Sequence, residues 1–388
     1  MNALSALLNL PDAEKSARGL THTPAEIAQQ PETWHATFEL FKSRSEKIRN
    51  FLAAAGSTPS IFLVGAGTSD YIGQALVPLL RKAWKCDISA VPSTDLLSHF
   101  DELVRPAQKY LWVSFSRSGD SPEGVAVLQN AYRQRPDIHH LVISCNANGR
   151  MILETAGKPQ VLSICLDDRV NDRGLAMTSS FSNMVVFGQC LAHVDDPGRY
   201  EQVLTQLVQS GNSLLPLAAD CAAALMKEPF AKACFVGSGA LRAVARESAL
   251  KVLELTAGKV LTMSESALGL RHGPMAALDQ DTLFVCFLSH TQRVQEYERD
   301  LLEEIGNKRL VRKRVVVAGR QAAAQSFSEH YLAPAAPFPA ADEYRPPLDV
   351  MFGQLLGLFF SLRWNLRPDC PSPNGAISRV VQNVRIHS

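Results

Sequence analysis

The sequence predicts an α/β protein of two tandem domains, each a parallel sheet flanked by helices in three layers, with a helical N-terminal extension and an extended C-terminal tail. Three observations carry that expectation. Short apolar, β-branched runs alternate with longer helical patterns, the rhythm of buried parallel strands. The two halves open alike, Ile61, Phe62, Leu63, Val64, Gly65, Ala66, Gly67 against Ala233, Cys234, Phe235, Val236, Gly237, Ser238, Gly239, which points to an internal duplication. Finally, 388 residues exceed what one ordinary core accommodates.

Residues 1–44 read as the helical extension. Residues 45–205 form the first domain, with strands expected at 61–64, 111–115, 141–145 and 161–166. A long amphipathic stretch at 200–226 separates the halves. Residues 206–366 form the second domain, with strands at 234–236, 283–288 and 315–318. Residues 334–347, rich in Pro and Ala, read as an irregular connection before an apolar helix at 349–364. The tail, 367–388, carries Pro368, Pro371, Pro373 and Gly375 and reads as extended.

Composition narrows the function classes. Hydrophobic residues make up 46% and charged residues 20%, the balance of a globular protein with a sizeable core. Thirty-nine basic residues against 38 acidic ones leave +1, so no global field favours nucleic acid or an anionic membrane, and any anion must be bound locally. Residues 1–18 lack a secretory pattern and no apolar run reaches a membrane span, so a cytoplasmic protein with no membrane partner is expected. The eight cysteines are scattered singly without metal-ligand spacing, so they read as small core residues, with no metal expected.

The run at 111–115 leads directly into Ser116, Arg117, Ser118, Gly119, Asp120, Ser121, and Pro122 stands where a helix would begin. A strand, a hydroxyl-rich turn and a helix start offer backbone N–H groups, hydroxyls and the positive end of a helix dipole to one dianion. Arg117 either adds a charge-assisted bond or faces solvent. The alternative is an ordinary helix cap by Ser118 or Ser121. The equivalent turn of the second half, Ser289, His290, Thr291, Gln292, lacks the pattern, so only the first copy is equipped for phosphate. Gly65, Ala66, Gly67, Thr68, Ser69 also end a strand and open a helix at the same sheet edge. As a dinucleotide fingerprint they fail, because Asp70 stands where the last glycine is required; no nicotinamide cofactor is expected.

In the second half Glu247, Lys251 and Glu254 are spaced i, i+4, i+7 and share one helix face. Such a stripe is ordinarily a solvated salt-bridge face, but Ala249, Leu250, Val252, Leu253 and Leu255 leave little room for one. Ser264, Glu265, Ser266 and then Arg271, His272, Gly273, Pro274 read as a polar turn. A lone histidine is more often structural, but one exposed on such a turn near a helix carboxylate is a candidate for proton transfer.

Together, residues 67–69, 116–121, Ala249, Leu250, Lys251 through Glu254, and His272, Gly273, Pro274 resemble the sugar isomerase (SIS) domain family, in particular the isomerase half of glucosamine-6-phosphate synthase. The resemblance covers both halves, implying two tandem SIS domains. With Thr23, Pro24, Glu26, Ile27, Ala28, Gln29, Gln30 and Pro31 ahead of the first domain, the layout looks most like the galactosamine-6-phosphate deaminase branch, also termed tagatose-6-phosphate ketose/aldose isomerase.

The resemblance implies a sugar-phosphate substrate held by Gly67, Thr68, Ser69, Ser116, Arg117, Ser118 and Ser121. Glu254 would move a proton between C1 and C2, Lys251 would lie close to the reacting hydroxyls, and His272 would assist ring opening. It also implies no cofactor and a homodimer with shared sites. The reaction would convert galactosamine 6-phosphate to tagatose 6-phosphate and ammonia; the alternatives are plain aldose/ketose isomerisation or a non-catalytic sugar-phosphate sensor. Two departures from the synthase stand out. The sequence opens Met1, Asn2, Ala3 and not with a cysteine, so no amidotransferase activity of its own is expected, and Ile377 falls where the synthase has a lysine near its ligand.

Overall fold

Runs of β-branched and aromatic residues form ten strands among the residues described by the computed structural model, 1–56, 59–321, 327–381 and 384–387. The chain divides into two units. One comprises Thr33–Asp172, Ser179–Glu201 and Ile377–Ser388, and the other Met1–Glu32, Arg173–Thr178 and Gln202–Ala376.

The first unit is built on β1 (Ser60–Gly65), β2 (Ile88–Pro92), β3 (Tyr110–Ser116), β4 (His139–Ser144) and β5 (Val161–Cys165). Its spatial order is β2-β1-β3-β4-β5, with every pairing parallel. The order reverses between β1 and β3, and in open parallel sheets ligands bind beyond the carboxyl ends of the strands at such a reversal. All seven residues of β3 are buried, as a central parallel strand covered on both faces requires. The register pairs Val64 with Ser114, so the segments leaving β1 and β3 emerge side by side.

The second unit is built on β6 (Lys232–Gly237), β7 (Leu261–Glu265), β8 (Thr282–Phe287), β9 (Lys313–Val317) and β10 (His330–Leu332). Its order, β7-β6-β8-β9-β10, reproduces the first sheet, again wholly parallel. The duplication read from the two opening segments thus extends to topology. It extends to backbone detail as well, since Gly67 adopts φ 56° and ψ −124° and Gly239 φ 58° and ψ −128°. A side chain is strained at that left-handed φ, which explains the glycine in both copies.

The expected central strands are present, and the amphipathic stretch is the helix Pro197–Leu225. Three strands escaped the sequence reading, β2, β7 and β10. All lie at or towards a sheet edge and are incompletely buried, so they lack a continuous apolar run. One consequence is a correction: Ser264 and Glu265 belong to β7 and not to a turn. The connection at 334–347 is irregular apart from the short 3₁₀ turn Asp342–Tyr344, and the apolar helix spans Pro346–Arg363. Within the tail, the described residues form neither helix nor strand. No helix among the described residues is long and apolar enough to cross a membrane. All eight cysteines are free thiols, five of them buried.

His140 on β4 has no exposed surface and stands between Trp112 and Tyr132, with ring centroids 5.4 and 5.2 Å away. Neither ring nitrogen has a hydrogen-bond partner among the described residues. Burial, helped by the nearby His139 and Lys158, pushes its pKa down to about 3. The unfolded chain therefore binds a proton near pH 6.5 that the folded chain refuses, and stability is lost as pH falls from 6.5 towards 3. By about pH 5 this loss amounts to about 2 kcal/mol. His140→Phe is expected to remove this component, seen as a flatter dependence of the urea midpoint on pH between 5 and 7. An unaltered slope would show that His140 does not carry it.

Candidate functional site

β3 ends at Ser116, and the helix Pro122–Gln134 begins after a tight turn. Gly119 has φ 67°. The Gly119 N–H donates to Ser116 Oγ at 3.0 Å and the Asp120 N–H to Ser118 Oγ at 3.1 Å. Both hydroxyls act as acceptors within the turn, and among the described residues neither donates its own proton. Ser121 stands at the N-cap position, but its side chain makes no cap hydrogen bond. The plain capping explanation for this turn therefore fails. The hydroxyl of Ser69, in the first turn of the helix Thr68–Trp84, also lacks a partner among the described residues. Side by side at the carboxyl edge of one sheet, the two turns hold hydroxyl donors with no internal acceptor, the complement of a phosphate group.

An acidic residue in such a turn would repel an anion unless its charge were drawn elsewhere. Asp120 is drawn elsewhere: Oδ1 accepts from the Arg150 N–H at 2.9 Å, and the Asn146 amide donates to Oδ2 at 3.4 Å and to the Ser118 carbonyl at 2.8 Å. The segment after β4 therefore fixes the turn. Gly149 makes this approach possible, since a Cβ there would lie 2.5 Å from the Ser118 carbonyl oxygen and 2.9 Å from Gly119 Cα. Asn146 and Gly149 were not singled out from the sequence; the Asn146, Ala147, Asn148, Gly149 turn signature was the available signal.

Of the two positions expected for Arg117, the solvent-facing one is excluded. It is buried, and its guanidinium donates to the Arg379 carbonyl at 2.5 Å. Arg379 in turn donates to the Asp172 carbonyl at 2.6 Å and to Asn171 Oδ1 at 2.5 Å. The tail is thereby bound to the first unit.

In the second unit, Glu247, Lys251 and Glu254 lie on the helix Ala240–Leu255. Lys251 Nζ is 3.2 Å from Glu247 Oε1 and 2.7 Å from Glu254 Oε2. Lys251 and Glu247 have no exposed side-chain surface, whereas that of Glu254 is 27% exposed. This is not a solvated stripe. The helix Pro346–Arg363 packs on Ala240–Leu255 through Gly353 against Ser248 and Gly357 against Lys251, whose carbonyl oxygen would lie 2.8 Å from a Cβ at Gly357. Burial alone would lower the Lys251 pKa, but the Glu247 and Glu254 carboxylates outweigh it and hold the ammonium above its ordinary value. The result is a buried ammonium held beside a partly exposed carboxylate.

His272 is exposed on the bend after the 3₁₀ turn Gly269–Arg271, and its ring makes no hydrogen bond among the described residues. Its neighbour Arg271 is engaged by Glu304 at 2.9 Å.

The geometry gives two expected outcomes. Gly149→Ala should destabilise the protein by about 1–3 kcal/mol through overpacking and loosen the 116–121 turn. A thermal melt checks the first effect and phosphate affinity the second, and an unchanged affinity would show that the turn does not rely on Gly149. Lys251→Met removes the ammonium paired with the buried Glu247 carboxylate and should cost about 3–5 kcal/mol. Adding Glu247→Gln should restore a large part of it in denaturant unfolding.

The chain matches no protein-family model. It is 36% identical over 375 residues to an AgaS protein of Streptomyces coelicolor, covering 95% of each chain. It is 33% identical over 370 residues to the D-galactosamine-6-phosphate deaminase AgaS of Escherichia coli O157:H7, covering 95% of this chain and 96% of that one. The crystal structure of tagatose-6-phosphate ketose/aldose isomerase from Escherichia coli superimposes with a TM-score of 0.85 at 30% identity, over 94% of this chain and 96% of that one. Two parallel sheets of one strand order and extended similarity to these proteins lead to one assignment: the chain belongs to the sugar isomerase (SIS) family, among the AgaS proteins.

Proposed function

We propose that this enzyme of sugar-phosphate metabolism is an amino-sugar-phosphate deaminase/isomerase that converts galactosamine 6-phosphate to tagatose 6-phosphate and ammonia. The observation that carries the reading is the buried Glu247–Lys251–Glu254 array, which presents one carboxylate with a fixed ionic partner. The AgaS relatives support the choice of substrate.

In this reading Ser69, Ser116, Ser118 and Ser121 hold the phosphate, with Gly67 and Thr68 shaping the neighbouring bend. Arg117 adds a charge-assisted bond to the same anion, while one nitrogen of its guanidinium donates to the Arg379 carbonyl. His272 assists ring opening, and the active assembly is a homodimer. Glu254 takes the proton from C2 of the open-chain aldosamine, leaving an enolamine across C1 and C2. The same proton is returned to C1, which makes C2 an imine. Water adds to that imine and the C–N bond breaks, giving the ketose and ammonia. Lys251 holds Glu254 in place through their ion pair and steadies charge on the adjacent hydroxyls.

A positioned carboxylate of this kind contributes roughly 100-fold to 10,000-fold. Glu254→Gln is therefore expected to lower kcat by about that factor while leaving sugar-phosphate affinity nearly intact. Ser116→Ala combined with Ser118→Ala should chiefly raise KM. The deciding assay follows ammonia and ketose from the purified protein with galactosamine 6-phosphate and glucosamine 6-phosphate in parallel. Interconversion of an aldose 6-phosphate and its ketose 6-phosphate, with no ammonia from either amino sugar, would reduce the reaction to isomerisation, and normal turnover by the Glu254 variant would remove that residue from the mechanism.

A further inference from the structure

The second sheet has the same strand order and the same glycine bend as the first, so its reversal point between β6 and β8 is the counterpart of the first unit's phosphate turn. The donors there are treated differently. The Ser289 N–H donates to Glu298 Oε2 at 2.7 Å and the His290 N–H to Asp342 Oδ1 at 2.8 Å. The Ser289 hydroxyl donates to Asp342 Oδ2, and the Thr291 N–H donates to Ser289 Oγ at 3.0 Å. Asp342 arrives on the Pro- and Ala-rich connection, in the short 3₁₀ turn that precedes the helix Pro346–Arg363. Beside it Arg345, with no exposed surface, donates to Asp342 Oδ1 at 3.1 Å, to Asp349 Oδ2 at 2.7 Å and to the Leu288 carbonyl at 2.6 Å. A hydroxyl, a backbone N–H and a guanidinium converging on one carboxylate form the donor set of an anion site.

We propose that Asp342 is a built-in anion: the reversal point of the second sheet is a phosphate-type site filled by the chain's own carboxylate, so each chain takes one sugar phosphate, at residues 116–121. The second half of this statement rests on the phosphate reading given under Proposed function; the first half does not. Burial pushes the neighbouring Glu298 up to about 7, in keeping with a crevice closed to bulk water. The shorter turn, which runs from the end of β8 at Phe287 to the helix Gln292–Asn307, is the sequence counterpart of that closure.

Removing the carboxylate should reopen the crevice. Equilibrium dialysis with inorganic phosphate is expected to show one bound equivalent per wild-type chain and two for Asp342→Ala. One should remain when Asp342→Ala is combined with Ser116→Ala and Ser118→Ala. A folded Asp342→Ala protein that binds no more phosphate than wild type overturns the proposal. A count of none in wild type and one in Asp342→Ala would reject the 116–121 reading while upholding the built-in anion. If Asp342→Ala does not fold in chloride, refolding in phosphate at equal ionic strength is compared with the core variant Ile305→Ala. Rescue of Asp342→Ala alone supports the proposal, and equal failure of both overturns it.

Discussion

An ammonium group without exposed surface has to be neutralised where it stands, and Lys251 imposes that condition on the second unit. Taking a charge out of water costs several kcal/mol, which is offset only by well-placed opposite charge. Glu247 supplies one carboxylate from the turn before and Glu254 a second from the turn after, both on the same helix face. The covering helix has to come close enough to exclude water, and Gly353 and Gly357 permit the approach. Those conditions leave Glu254 fixed at the boundary between core and solvent, where a carboxylate can act on a substrate and yet keep one partner.

The two sheets show one architecture with opposite uses of its polar edge. In the first unit the turn after β3 satisfies its backbone with Ser116 and Ser118, draws Asp120 aside to Arg150 and Asn146, and leaves hydroxyl protons unspent. In the second unit the corresponding donors find Asp342 and Glu298. A buried polar group must find a partner from somewhere, and the two copies differ in whether that partner is covalently part of the chain.

Much of this was legible in the residues themselves. Central strands such as β3 and β8 are continuous apolar runs, and the i, i+4, i+7 spacing of Glu247, Lys251 and Glu254 placed them on one face before any coordinates. The edge strands β2, β7 and β10 were not legible, because half-buried strands carry polar residues and resemble loops. Neither were contacts between segments distant in sequence. Arg117 pairing with the Arg379 carbonyl, Gly149 pressed against Gly119, and Asp342 reaching His290 depend on topology, and local spacing holds no trace of them.

The bond from Arg117 to the Arg379 carbonyl bears on how the molecule is made. A ribosome delivers chain from the amino end, so every strand of the first sheet has emerged long before its latch partner exists. During that interval the Arg117 guanidinium and the Asn171 and Asp172 acceptors lack the segment that joins them. The neighbourhood of the 116–121 turn thus reaches its finished form only after the whole second sheet has been synthesised, which makes nascent first-unit chains structurally immature however well their sheet has already formed.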